Sequence, residues 1–202
     1  MSDLFSVHRL ARFVWTEKRY LWLLPLAMLF GTLFHEAAHA LTAITQGAQI
    51  TELSITPGWS PEGYFRFGYV SHTRPRGLYS ESVILLAPIL AWTLLAASTA
   101  LWVSKITPGW RVKTSLIFLY FLPLADVSMQ LRGLFYGAVE SDLHRALHGV
   151  EINTALVACF YFGGFGGLGY RLFRGAYGAA LHRAEFALGY AFILGASWLL
   201  RP

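Results

Sequence analysis

Long apolar runs alternate with short polar segments along the chain, and this pattern predicts membrane-spanning helices. A spanning helix needs about 20 mostly apolar residues, because the hydrocarbon core is roughly 30 Å thick and a helix rises about 1.5 Å per residue. The runs predict about five spans, near residues 21–44, 83–103, 114–131, 153–173 and 184–200. We therefore expect an all-α membrane protein in which residues 21–202 form a single multi-span domain.

The longest polar stretch, residues 46–82, follows the first predicted span. Segments 50–56 and 64–70 alternate apolar and polar residues, and the segment between them, PGWSPEG, is rich in turn formers. This pattern predicts a small β-hairpin with a long turn. The hairpin either offers an open edge to another strand or forms a structural cap over the helices.

The first 20 residues mix apolar side chains with Arg9, Arg12, Lys18 and Arg19. The mixture predicts an amphipathic helix on the membrane surface, with a frayed basic tail as the alternative. A cleaved signal peptide is a further alternative for residues 21–40, because Ala38-His39-Ala40 resembles a cleavage site. That site lies beyond the usual range of about 15–30 residues, so we expect no cleavage.

The composition agrees with a membrane protein. Of 202 residues, 55% are hydrophobic and 13% are charged, whereas soluble domains carry roughly 25% charged residues. The balance excludes a disordered chain and argues against an ordinary soluble enzyme. Cys159 is the single cysteine, so no disulfide scaffold can form within the chain. The net charge of +5 indicates contact with anionic lipid and not with nucleic acid.

The first predicted span contains the motif His35-Glu36-Ala37-Ala38-His39, an H-E-x-x-H sequence. Residues four apart on a helix share a face, so both imidazoles can bind one metal ion, and Glu36 can reach a water molecule on that ion. Ionisable groups are costly in an apolar helix and are kept mainly for function. Zn²⁺ is the expected ion, and a polar cluster hydrogen-bonded to neighbouring helices is the alternative.

A catalytic zinc site usually takes a third protein ligand, and two carboxylates are candidates. Asp126 lies in the third predicted span and Asp142 just beyond it, both on the side of the membrane expected for the motif. Their alternative roles are a helix–helix hydrogen bond for Asp126 and an N-cap of a helix at 143–148 for Asp142. A separate site formed by Asp142, His144 and His148 is also conceivable, although a solvated helix face explains that spacing better.

These residues resemble a known family, the site-2 protease group of intramembrane metallopeptidases, and more narrowly its small bacterial M50B-like members. The resemblance covers about residues 25–150 and rests on HEAAHAL (35–41), GAQITELSI (47–55) and Ser141-Asp142-Leu143 with Leu147 and Gly149 after it. It implies that His35 and His39 are zinc ligands and that Glu36 is the general base.

The third ligand departs from the site-2 pattern, which places an Asp in an Asn-Pro…Asp-Gly element. Here Pro123 precedes Asp126, but Val127 replaces the glycine and the asparagine is absent. The M50B-like group has a Ser-Asp element at the place of Ser141-Asp142. The resemblance therefore favours Asp142 as third ligand, with Asp126 as runner-up or as a partner of a ligand.

The resemblance implies a membrane-embedded zinc metalloprotease of the bacterial inner (plasma) membrane. It would hydrolyse peptide bonds of a membrane protein or peptide substrate, within or next to the lipid bilayer, by a zinc-activated water and a Glu general base. The alternative is a non-catalytic pseudo-protease that binds zinc or partner helices. A metal transporter would need further metal-binding side chains along a path through the membrane, and the remaining predicted spans contain none. The distribution of basic residues favours a cytoplasmic N-terminus, whereas the family's metal position implies the reverse. Substrate and oligomeric state stay open.

Overall fold

A computed structural model describes residues 12, 15, 24–59, 65–77, 80–103, 120, 122–136, 141–148, 153–177 and 183–199. In these residues, helix α1 (Leu24–Thr45) is followed by strands β1 (Ile50–Ser54), β2 (Gly58–Trp59), β3 (Phe65–Arg66) and β4 (Tyr69–His72), and then by helices α2 (Ser80–Val103), α3 (Leu122–Tyr136), α4 (Asp142–Ala146), α5 (Thr154–Tyr177) and α6 (Arg183–Leu199). The expected amphipathic segment 1–20 lies outside the described residues except for Arg12 and Trp15, which are helical.

The expectation of an all-α protein with about five transmembrane helices is wrong. Within the described residues two helices are long and apolar enough to cross a membrane, at Ser80–Thr99 in α2 and Thr154–Gly175 in α5. They overlap the expected spans 83–103 and 153–173. The fold is mostly helical, with two candidate spans and two short antiparallel strand pairs.

The other three expected spans fail for different reasons. Within the described residues, helices α3 and α6 have 15 and 17 residues, and these described lengths of roughly 22–26 Å are shorter than the hydrocarbon core. Helix α1 has 22 residues, but its apolar run is interrupted by two histidines and a glutamate. Residues 114–119 and 121 of the third expected span lie outside the described part of the chain.

Helix α1 ends in a Schellman motif, which sets the direction of the chain into the hairpin. Gly47 has a positive φ of 75°, a conformation that glycine adopts without steric cost. Its N–H donates to the carbonyl of Ile44 at 2.9 Å, and the N–H of Ala48 donates to the carbonyl of Ala43 at 3.0 Å. Ala43 and Ala48 then pack against Ile84 of α2 in a small buried cluster.

The segment after α1 forms antiparallel pairs, as its alternation predicts. Strand β1 pairs with β4, with Leu53 opposite Val70, and a register shift interrupts the ladder between Ile50 and Glu52. Strands β2 and β3 extend the hairpin as a second, two-residue pair. The second alternating segment, expected at 64–70, contains two short strands in the structure, β3 at Phe65–Arg66 and β4 from Tyr69.

The larger core is built by α2, α3, α5 and α6, and it fixes α3, the helix on which the candidate site depends. Tyr120, Leu124, Leu131 and Leu172 belong to this buried cluster. The Tyr120 hydroxyl donates to the Phe165 carbonyl at 2.9 Å, which satisfies a polar group that would be costly to bury alone.

Candidate metal centre

Helix α1 places His35 and His39 one turn apart on a single face, as their spacing predicts. The Nε2 atoms of the two rings lie 3.1 Å apart. On the other side of its ring, His39 Nδ1 lies 2.8 Å from the carbonyl oxygen of Ile84 in α2. Because a carbonyl can only accept, Nδ1 is the donor, and a neutral His39 presents the lone pair of Nε2 to the site.

Helix α3 orients the other histidine in the same way. His35 Nδ1 lies 2.9 Å from Asp126 Oδ2, and both side chains are mostly buried. An ionised carboxylate accepts from Nδ1–H, so Nε2 of His35 is left to face the site. Asp126 therefore contacts the side of His35 that points away from His39.

Asp142 enters from the start of the short helix α4. Its Oδ2 atom lies 3.2 Å from Nε2 of His35 and 3.2 Å from Nε2 of His39. The N-cap of α4 is Ser141, whose side chain accepts from the N–H of His144. The alternative in which Asp142 itself is the N-cap is therefore wrong, and its carboxylate points to the two histidines.

The three converging atoms fit a tetrahedral zinc ion. His35 Nε2, His39 Nε2 and Asp142 Oδ2 form a triangle with edges of 3.1–3.2 Å. A zinc ion with bonds of about 2.0–2.1 Å separates its ligand atoms by roughly 3.3 Å, the edge of a tetrahedron. The triangle therefore matches one face of such a site, and the described residues supply three potential ligand atoms there.

The hydrogen bonds around the triangle explain why a cation fits there. The Nδ1 protons of both histidines are directed outward, to Asp126 and to Ile84, so the three inner atoms all present lone pairs. Three acceptors this close repel one another unless a proton or a metal ion lies between them. Neutral imidazoles and a carboxylate are also a ligand set that zinc takes in enzymes.

Charge at the site shifts the pKa values of its groups. Burial alone lowers the pKa of His35, but Asp126 and Asp142 outweigh it and raise that pKa well above its usual value. Burial alone raises the pKa of Asp142, yet hydrogen bonds from His35 and His39 hold it well below its usual range. These shifts favour a proton on His35 between the carboxylates of Asp126 and Asp142, and a metal ion on Nε2 would have to displace it.

Glu36 lies beside the triangle, under the hairpin. Its side chain is buried, and burial raises the pKa of its carboxyl against the opposing effect of His35 and His39. A methyl group at Gly68 would lie 2.6 Å from Thr32 Cγ2, 2.8 Å from the Ser54 carbonyl oxygen and 3.0 Å from Glu36 Cγ. No side chain fits at position 68, so the hairpin backbone covers Glu36 directly.

Gln130 also belongs to the site, although no sequence motif includes it. Its Nε2 lies 3.3 Å from Asp142 Oδ2, and its side chain reaches the segment that carries this carboxylate. A signal was present in the sequence, because Gln130 follows Asp126 by four residues and shares its helix face.

Within the described residues, the group that brings three potential metal-binding atoms together is His35, His39 and Asp142. The alternative site formed by Asp142 with His144 and His148 is not found among these residues. The rings of His144 and His148 pack against each other with centroids 5.9 Å apart, and Asp142 turns to His35 and His39.

Comparisons of the chain with models of protein families, with curated proteins and with solved structures gave no match. The chemistry of the site therefore has to be inferred from its own residues.

Proposed function

We propose that this protein is a membrane-associated zinc metallopeptidase of the M50 type, which hydrolyses peptide bonds within or next to a membrane. His35, His39 and Asp142 are the zinc ligands, and Glu36 is the general base. The observation that carries the proposal is the triangle of ligand atoms, with edges of 3.1–3.2 Å, next to a buried glutamate in an H-E-x-x-H helix.

Three protein ligands with an open fourth position are typical of catalytic zinc, whereas structural zinc usually has four. These three residues would hold a zinc ion, which would supply a Lewis acid for the substrate carbonyl and lower the pKa of water toward neutral pH. The other groups of the site belong to the chain. Asp126 and the Ile84 carbonyl hold the two imidazoles in the tautomer that ligation needs, at 2.9 and 2.8 Å.

In this proposal Glu36 accepts a proton from the attacking water and returns it to the leaving amine. A general base works best when its pKa lies near the working pH, and burial moves the pKa of Glu36 upward in that direction. The hairpin backbone at Gly68 packs against the Glu36 side chain, with an added methyl group 3.0 Å from Glu36 Cγ, and this contact would help to hold the carboxylate in position.

The proposal of a membrane location is supported by the outer faces of the two candidate spans. Leu94 in α2 is 69% exposed, and Leu156 and Phe160 in α5 are 70% and 77% exposed. Large apolar side chains in such number on helices of spanning length are unfavourable in water and favourable in lipid. The bacterial inner membrane is the location that the M50B-like resemblance supports.

We propose that the hairpin binds an extended segment of the substrate. A peptide bond in a helix is hidden, so a helical substrate has to unwind before cleavage. Within the described residues β1 and β4 form a two-stranded sheet, and an extended segment can add to its edge through main-chain hydrogen bonds. The hairpin passes over Glu36 at Gly68, so a segment added there would lie close to the proposed base.

The test is proteolysis of a membrane-inserted peptide library by purified protein in lipid vesicles, wild type against Glu36→Gln. Glu36→Gln keeps the size of the side chain and is expected to bind zinc but to lose cleavage, because an amide cannot take the proton. Full cleavage by Glu36→Gln would contradict the proposal. Wild-type protein that binds zinc but cleaves no peptide would favour the non-catalytic alternative.

A further inference from the structure

One face of helix α3 holds two different parts of the metal centre. Asp126, Gln130 and Gly133 are spaced by four and three residues, so they lie in one row along the helix. Asp126 contacts His35 of α1. Gln130 and Gly133 contact the segment that carries Asp142. The row therefore touches two proposed ligands that are far apart in the sequence.

Gln130 makes its side-chain contacts with three consecutive residues. Its Nε2 lies 3.3 Å from Asp142 Oδ2, and its Oε1 lies 3.3 Å from the N–H of Leu143 and 3.1 Å from Ser141 Oγ. The orientation of the amide is fixed by chemistry, because the backbone N–H of Leu143 must donate and the carboxylate must accept. Ser141 Oγ also lies 3.0 Å from the backbone carbonyl oxygen of Gln130.

Gly133 allows this close approach. A methyl group at position 133 would lie 2.1 Å from Ser141 Cβ and 2.5 Å from its Oγ, so a larger residue would push the start of α4 away from α3. Ser141 is itself buried. The absence of a side chain at position 133 brings Asp142 within reach of Gln130.

We propose that Gln130 is a positioning residue for the metal centre, an inference that rests on the proposed function of His35, His39 and Asp142 as zinc ligands. Its amide N–H holds Asp142 Oδ2 at the corner of the triangle, while its carbonyl holds the backbone that carries this carboxylate. With Asp126, it makes α3 the common support of two ligands from different elements. A free carboxylate can rotate about its Cβ–Cγ bond, and the amide removes that freedom.

The test compares Gln130→Met with wild type. Methionine has a similar length and volume but can neither donate to Asp142 nor accept from Leu143. We expect zinc affinity, measured by competition with a chromophoric chelator, to fall about 10–100-fold. We also expect the visible absorption of the Co²⁺-substituted protein to change, because that spectrum reports ligand geometry and would not respond to a role in packing alone. Met129→Ala, an exposed neighbour on the same helix, is the matched control and should behave as wild type.

The outcomes separate this inference from the proposed function. Wild-type protein that binds no zinc would overturn both. Tight zinc binding by wild type together with equal affinity and an unchanged Co²⁺ spectrum in Gln130→Met would overturn the role of Gln130 alone. If Gln130→Met does not fold, Gln130→Asn takes its place. Its amide is one methylene shorter and is expected to miss Asp142, so it should show the same loss, and wild-type affinity in Gln130→Asn would overturn the inference.

Discussion

Asp126 Oδ2 accepts a hydrogen bond from His35 Nδ1 at 2.9 Å, on the edge of the ring that faces away from His39. A carboxylate at this position fixes the imidazole tautomer and raises its basicity toward a metal ion on Nε2. The contact gives Asp126 a place outside the triangle of ligand atoms, although the sequence allows either aspartate as the third ligand. The two aspartates are therefore expected to respond differently to substitution.

Asp126→Asn should weaken zinc binding without removing a ligand. The amide keeps the shape of the side chain but loses its charge, and we expect zinc affinity to fall about 10–100-fold. Asp142→Ala removes a ligand atom, and its loss should be larger. Both losses are measured as the zinc that each variant retains after dialysis against increasing concentrations of a chelator. A greater loss in Asp126→Asn than in Asp142→Ala would reverse the two assignments.

Zinc affinity should depend on pH because His35 must lose a proton before its Nε2 can bind the ion. Its pKa is raised in the metal-free protein, after the carboxylates of Asp126 and Asp142 outweigh the effect of burial. Affinity should therefore increase with pH until the raised pKa is passed, by about tenfold per pH unit for one displaced proton. Calorimetric titrations in buffers of different ionisation enthalpy count the protons released.

The metal-free protein should show the opposite trend in stability. A pKa raised by folding gives a contribution that is complete below the unfolded value of about 6.5 and is lost as pH rises through the folded value. Thermal unfolding of the apoprotein should therefore shift to lower temperature over this range, while zinc-loaded protein gains stability. Zinc affinity that is constant between about pH 6 and about pH 8.5 would contradict the protonation of His35.

The sequence predicts those parts of the site that depend on local geometry. The spacing in HEAAH is enough to place His35 and His39 on one face, and their Nε2 atoms lie 3.1 Å apart. The chain has three aspartates, so Asp126 and Asp142 could be singled out. The spacing of Gln130 from Asp126 places both residues on one helix face, but the contacts of Gln130 with Asp142 and Leu143 depend on the approach of α4 to α3 at Gly133. No periodicity within either segment specifies that distance.

The predicted membrane spans show where a sequence pattern fails to predict the structure. A hydropathy window responds to apolar residues whether they face lipid or the core of a fold. In α3, Leu124, Val127 and Leu131 are fully buried between neighbouring helices, so an apolar run of this kind does not require lipid. Where a helix ends depends on turns and tertiary contacts, and this decides whether an apolar segment reaches the length of a span.

The contact between the hairpin and Glu36 can be tested at Gly68. Gly68→Ala would place a methyl group 2.6 Å from Thr32 Cγ2 and 2.8 Å from the Ser54 carbonyl oxygen, so the hairpin has to move off α1. We expect a loss of about 1–3 kcal/mol in the free energy of unfolding and reduced cleavage, with zinc affinity unchanged since the ligands lie elsewhere.

Gly58→Ala is the matched control in the same hairpin, since no atom of the described residues lies within 4 Å of the added methyl group. Its unfolding midpoint and cleavage rate should equal those of wild type. Equal behaviour of Gly68→Ala and Gly58→Ala would show that the hairpin does not rest on Glu36 in solution.

Replacing different glycines of α5 by alanine should have opposite effects on stability, depending on whether a neighbouring side chain packs against the glycine. A methyl group at Gly169 would lie 2.0 Å from the hydroxyl oxygen of Tyr120, and this ring is fully buried, so it has no free space to enter. Gly169→Ala should therefore break the hydrogen bond from Tyr120 to the Phe165 carbonyl and cost about 1–3 kcal/mol. At Gly163 no atom of the described part of the chain lies within 4 Å of the added methyl group, and alanine should stabilise the helix by roughly 0.5–1 kcal/mol. Thermal unfolding in the same detergent should show midpoints that move in opposite directions, and a decrease of equal size in both variants would contradict the packing of Tyr120 on Gly169.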